Sequence, residues 1–122
     1  MTIPAFMWVA FGGAIGAICR YALSVLLVSA GRFPWATLGI NIAGSFLIGV
    51  CWGAWFNESW FQAWGRLFLV VGVLGGFTTF SAFSLETVAL VEGGRPITAA
   101  VYVLASVVLC VIAAWLGQKT FG

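Results

Sequence analysis

The chain has 122 residues, 63% of them apolar and 7% charged, with a formal net charge of +2. A soluble domain carries roughly 25% charged residues, and a chain this short cannot hide so much apolar surface in its own core; its solvent is therefore lipid. The small charge and the lack of any basic run argue against a nucleic-acid partner, and three scattered cysteines (Cys19, Cys51, Cys110) without a single histidine offer neither a disulfide framework nor a zinc site.

A spanning helix needs roughly 20 mostly apolar residues, and four such stretches follow one another. The first is expected from Pro4 to Ser29. No basic segment with a small-residue cleavage site precedes it, so residue 1 onward is expected to be mature protein. Gly12 and Gly16 stand four apart in it, a spacing that lets backbones approach closely. Arg20 lies in its last third, placed either to snorkel to the interface or to make an aqueous mouth attractive to anions.

The second span is expected from Trp35 to Phe56. Thr37, Asn41 and Ser45 recur every four residues and so share one helical face. Interhelical hydrogen bonding accounts for Thr37 and Ser45. Asn41 asks for more, because a mid-span amide brings two donors and an acceptor that all need partners.

The third span is expected from Trp64 to Val91, with a break at its centre. There the chain reads Gly75-Gly76-Phe77-Thr78-Thr79-Phe80-Ser81-Ala82-Phe83-Ser84. Paired glycines followed by β-branched threonines make a weak helix. Irregular backbone at membrane depth is tolerated only inside protein or along a cavity, and freed carbonyls there suit a hard cation; a tight helix crossing is the other use of such glycines. Phe80 and Phe83, three apart, share a face. They serve either packing or the attraction of an anion to their electropositive ring edges. Glu86 follows, either paired with a cation or lining a vestibule.

The fourth span is expected from Pro96 to Gly117 and carries no motif. Pro4, Pro34 and Pro96 sit at helix starts. Gly31, Asn57-Glu58-Ser59 and Gly93-Gly94 mark the turns, and tryptophans near the span ends form an aromatic belt. The whole is read as one four-helix transmembrane domain over 1–122, in contact with membrane lipid. Arg66 and Lys119 fall on one face of the membrane, Arg32 and Arg95 on the other. This even balance leaves open both insertion in two directions, with pairing to an inverted copy, and a single orientation set by other factors. The pairs Gly12/Gly16, Gly49/Gly53 and Gly72/Gly76 fit such a dimer, and fit packing within one chain equally well.

Three blocks together resemble the CrcB/Fluc fluoride channels. They are Gly12-Gly13-x-x-Gly16-Ala17-x-x-Arg20-Tyr21, then Thr37-Leu38-x-x-Asn41-x-x-Gly44-Ser45-Phe46-x-x-Gly49, then Gly75-Gly76-Phe77-Thr78-Thr79-Phe80-Ser81-x-Phe83-Ser84-x-Glu86. The resemblance implies an antiparallel, dual-topology homodimer in the bacterial inner membrane that passes fluoride passively out of the cytoplasm. It implies a fluoride pathway along Asn41, Thr37, Ser81, Ser84 and the ring edges of Phe80 and Phe83. It implies one structural sodium ion on the backbone carbonyls of Gly75 and Thr78 from both subunits, and vestibules near Arg20 and Glu86. The chain departs from the family pattern at Ala82, where a threonine is usual. A small multidrug exporter would need an acidic residue in the first span, which is lacking. An assembly subunit of a membrane complex would leave the three blocks unexplained. No nucleophile–base pair or phosphate-binding loop points to an enzyme.

Overall fold

The computed structural model describes residues 2–27 and 33–122. The end of the first span at Ser29, the turn at Gly31 and the charge of Arg32 lie outside the described residues. Four helices are long and apolar enough to cross a membrane: Ile3–Leu26, Trp35–Trp55, Phe61–Glu92 and Pro96–Phe121.

Local chemistry sets their ends. Thr2 caps the first helix, its hydroxyl accepting the Ala5 N–H at 3.3 Å, with Pro4 in the first turn where its missing N–H does no harm. Between the third and fourth helices, Gly94 takes a left-handed φ of +78°, open to glycine at little cost, and the Arg95 N–H closes the turn onto the Leu90 carbonyl at 2.8 Å.

Two borders differ from the sequence expectation by more than one residue. The third helix starts at Phe61 rather than Trp64, because Phe61 is drawn into a buried cluster with Cys51 and Leu74. The fourth runs on to Phe121 rather than stopping at Gly117. Gly117 is a packing position there: a Cβ on it would run into the Phe46 carbonyl of the second helix and approach the Val50 nitrogen to 3.0 Å.

The second and fourth helices lie along each other, as do the first helix and the stretch Phe61–Leu74. Both contacts depend on glycine. A Cβ on Gly12 would come within 2.8 Å of the Gly72 Cα, and one on Gly49 within 2.9 Å of the Gln118 nitrogen. The glycine pairs read from the sequence therefore serve close packing inside one chain. Phe61–Leu74 is wound wide, in the π manner, with the following Gly75 N–H reaching back to Val70. Beyond Phe80 the third span leaves the first helix and packs against the fourth and second instead. A second buried cluster of Leu38, Leu90, Ala99 and Tyr102 forms there, with Tyr102 wholly enclosed.

A groove between the second, third and fourth helices

Thr78 and Thr79 are extended (φ −86°, ψ 158° and φ −151°, ψ 115°) between the helical turn Gly75–Phe77 and the helix Phe80–Glu92. Their β-branched side chains favour such angles, and the glycines before them add little helical preference. Backbone polar groups in a membrane interior must still find partners, and side chains supply several of them here. The Thr79 N–H donates to Asn41 Oδ1 at 2.8 Å, and Asn41 Nδ2 donates to the Thr79 carbonyl at 3.1 Å. The Ala82 N–H donates to Thr79 Oγ1 at 3.1 Å, an N-cap for the restarted helix. Arg20 Nε donates to the Gly76 carbonyl at 3.1 Å. The Leu74 carbonyl accepts both the Thr78 N–H at 3.0 Å and the Thr78 hydroxyl at 2.9 Å.

This rerouting has a consequence for two oxygens. In a continuous helix the Gly75 carbonyl would accept from Thr79 and the Thr78 carbonyl from Ala82. Both N–H groups are diverted, to Asn41 and to the Thr79 hydroxyl. Two carbonyls thus lose their helical donors at the middle of the span.

A groove of about 370 Å³ opens beside this stretch, its lining including Asn41, Ser45, Thr78, Phe80, Phe83 and Ser106. The rings of Phe80 and Phe83 are 5.4 Å apart and tilted by 51°. Phe83 is held from behind by Tyr102, at 5.1 Å, whereas Phe80 is 67% exposed at the groove's edge. The Ser106 hydroxyl is buried and has no hydrogen-bond partner among the described residues. One or two turns from Asn41 and Phe83, Glu86 accepts hydrogen bonds from the Thr37 hydroxyl at 2.9 Å and the Tyr102 hydroxyl at 3.0 Å.

The residues singled out in the sequence divide into three groups. Asn41, Gly75, Thr78, Phe80 and Phe83 come together at the groove. Thr37 and Glu86 form a neighbouring cluster that ties the second helix to the third. Ser81, Ser84 and Arg20 are not part of the groove's lining. The Ser81 hydroxyl lies 3.2 Å from Thr79 Oγ1, the Ser84 hydroxyl donates to its own helix at Phe80, and Arg20 holds the Gly76 carbonyl. The fourth helix, which offered no motif, supplies Tyr102, Ser106 and Cys110. Their spacing of four puts them on one face, a signal diluted by the uniformly apolar residues around them.

Four helices of spanning length, with polar groups gathered at a groove between them, define a multi-pass membrane protein. The chain belongs to the CrcB family: residues 7–118 match the family described as "CrcB-like protein, Camphor Resistance (CrcB)". It is similar to the fluoride-specific ion channel FluC of Paramagnetospirillum magneticum, 48% identical over 119 residues that cover 90% of this chain and 89% of that one. A FluC of Thermus thermophilus is 46% identical over 125 residues, covering 96% of this chain and 94% of its own. That of Elusimicrobium minutum is 46% identical over 117 residues, covering 92% and 89%.

Proposed function

We propose that this chain is a fluoride channel that lets the ion leave the cytoplasm passively across the bacterial inner membrane, and so lowers fluoride toxicity. Its relatives are named fluoride-specific ion channels. The single observation that carries the reading here is the convergence of Asn41 and the Phe80/Phe83 rings on one groove.

Fluoride is small and tightly hydrated, so a path for it must replace water with donors. Asn41 spends one N–H on Thr79 and keeps a second for the ion. Ser106 lines the same groove from the fourth helix. The ring edges of Phe80 and Phe83 attract an anion without the grip of a fixed cation, and conduction needs a site that releases what it admits. Thr37, bonded to Glu86, extends the polar track beyond Asn41, and Ser81 joins it only through Thr79 Oγ1; Ser84 and Arg20, bonded to the Phe80 and Gly76 carbonyls, stand outside it.

The working unit in this reading is an antiparallel homodimer of dual topology. The exposed Phe80 and the open side of the groove give a second copy a place to complete the path. The third span is then a broken helix by design, with the break at Thr78-Thr79 held by Asn41. One sodium ion would be held by the carbonyls of Gly75 and Thr78 from both copies. Their diverted donors leave hard oxygens of the kind such a cation takes. When bound, it would neutralise those carbonyl dipoles and pin the two breaks together, without being transported.

Fluoride efflux from liposomes holding the purified protein, followed with a fluoride electrode and with chloride as control, tests the reading. Fast efflux selective for fluoride is expected. Well-folded protein that passes no fluoride, or passes chloride as freely, overturns it.

A further inference from the structure

We propose that Arg20 is a second clamp on the break in the third span, and that it acts through the hydrogen bond it donates to the backbone rather than through its charge. The proposal rests on the channel reading of the groove and adds to it a positioning residue that stands outside the polar track. Asn41 holds the side of the break that follows Thr78, by its two bonds to Thr79. The side before Thr78 is held from another helix. Arg20, half-buried on the first helix, donates from Nε to the Gly76 carbonyl at 3.1 Å across 56 residues of chain.

In a continuous helix the Gly76 carbonyl would accept the Phe80 N–H. Thr78 and Thr79 are extended, so that donor is carried away and Phe80 opens the restarted helix. A carbonyl stranded in the membrane is costly until another donor meets it, and the Arg20 Nε–H is that donor. Glycines bring the first helix within reach. A Cβ on Gly76 would come within 2.6 Å of the Gly13 oxygen and 3.1 Å of the Ala17 nitrogen, and one on Gly16 within 2.8 Å of the Phe77 nitrogen. Arg20 follows Gly16 by one helical turn on the same face, and so arrives at the end of the turn Gly75–Phe77.

No acid is matched to this guanidinium. Glu86 is engaged by Thr37 and Tyr102, and Glu58 and Glu92 stand at opposite ends of the third span. What Arg20 meets is a backbone oxygen. Without that bond, the Gly76 carbonyl and the Phe80 N–H are best satisfied by each other. Rewinding the break to join them changes the phase of the restarted helix and moves the Phe80 ring from its place beside Phe83 at the groove. Arg20 and Asn41 thus hold the same break open from two helices, one on each side of Thr78.

The experiment replaces Arg20 by Gln, Lys and Met and reads fluoride efflux from liposomes per folded protein, with the unfolding midpoint in detergent beside it. The glutamine amide nitrogen stands as many bonds from the backbone as the arginine Nε, so Arg20→Gln keeps the donor and drops the charge. Arg20→Met fills the space without a donor. Arg20→Lys keeps the charge and carries its donor a bond further out. Arg20→Gln is expected to retain efflux within about threefold of the parent chain and Arg20→Met to lose about tenfold or more, the weight of one unpaired buried carbonyl, with Arg20→Lys between them. Efflux higher in Arg20→Lys than in Arg20→Gln would give the role to the charge and overturn the proposal. So would an Arg20→Met protein that conducts like the parent, or an Arg20→Gln protein that is silent or unfolded. If Arg20→Met does not fold, the order of the other two still decides. A parent chain that passes no fluoride defeats the channel reading instead; the unfolding midpoints, with Arg20→Gln above Arg20→Lys and Arg20→Met, then still test the clamp.

Discussion

Asn41 and Thr79 exchange two hydrogen bonds across 38 residues of chain, the amide oxygen accepting the Thr79 N–H at 2.8 Å and the amide nitrogen donating to its carbonyl at 3.1 Å. The side chain stands where the peptide of a neighbouring strand would stand, and so satisfies both backbone groups of an extended residue inside the membrane. One donor remains on Nδ2. The same residue thus fixes the shape of the groove and, in the proposed channel, has a hydrogen left for the ion. A hydroxyl could replace one of these roles but not both.

Replacing Asn41 by Asp separates them. A carboxylate still accepts the Thr79 N–H, yet it cannot donate to the Thr79 carbonyl and it repels an anion. Leaving that buried carbonyl unpaired costs about 1–3 kcal/mol. Asn41→Asp is therefore expected to abolish fluoride efflux and to lower the unfolding midpoint in detergent. Asn41→Asp protein that conducts at the normal rate removes Asn41 from the path.

The sequence showed much of this because the signals were local. Four apolar runs punctuated by Pro4, Pro34, Pro96 and Gly93-Gly94 placed the helices, and the four-residue spacing of Thr37, Asn41 and Ser45 gave their common face. Asn41's partner was invisible, because a side chain meeting a backbone 38 residues away leaves no trace in spacing. The helix that restarts at Phe80 has lost its phase relative to the turn ending at Phe77, since Thr78 and Thr79 between them are extended. Phe80 and Phe83 kept their mutual relation, but the facing of Ser81 and Ser84 away from the groove could not be counted across the gap. Gly117 looked like a helix end and is a contact point for the second helix.

Glu86 joins Thr37 and Tyr102 through its two carboxyl oxygens, so the two hydroxyls are expected to act as a unit. Thr37→Val and Tyr102→Phe each remove one hydrogen bond, worth about 1 kcal/mol net. Because both bonds end on one carboxyl group, the double variant is expected to depart from the sum by about 0.5 kcal/mol or more. Chemical unfolding in detergent measures the cycle; strict additivity would mean that Glu86 holds the two hydroxyls independently.

Neighbouring glycines in the first helix are expected to respond in opposite directions. A Cβ at Gly12 would meet the Gly72 Cα at 2.8 Å and the Val73 nitrogen at 2.9 Å, while one at Gly13 would meet nothing within 4 Å. Gly12→Ala forces two backbones apart and should cost about 1–3 kcal/mol. Gly13→Ala keeps the packing and gains helix preference, about 0.8–1 kcal/mol in the favourable direction. Thermal unfolding of the two variants checks both signs, and a stabilised Gly12→Ala would contradict the close crossing of the first and third spans.

The diverted carbonyls of Gly75 and Thr78 tie Asn41 to the proposed sodium ion. A ligand that binds only folded protein stabilises it by about 1.4 kcal/mol for each tenfold rise above its dissociation constant. The unfolding midpoint is accordingly expected to climb with sodium and to stay flat with N-methylglucamine at equal ionic strength. Asn41→Ala should weaken that dependence although Asn41 touches no cation. Without the amide, the Thr79 N–H is free to turn back to the Gly75 carbonyl and close the helix over the oxygen that the ion needs. The two titrations are run side by side. A sodium response of the same size in both proteins would place the ion elsewhere, and none in either would remove it from the protein.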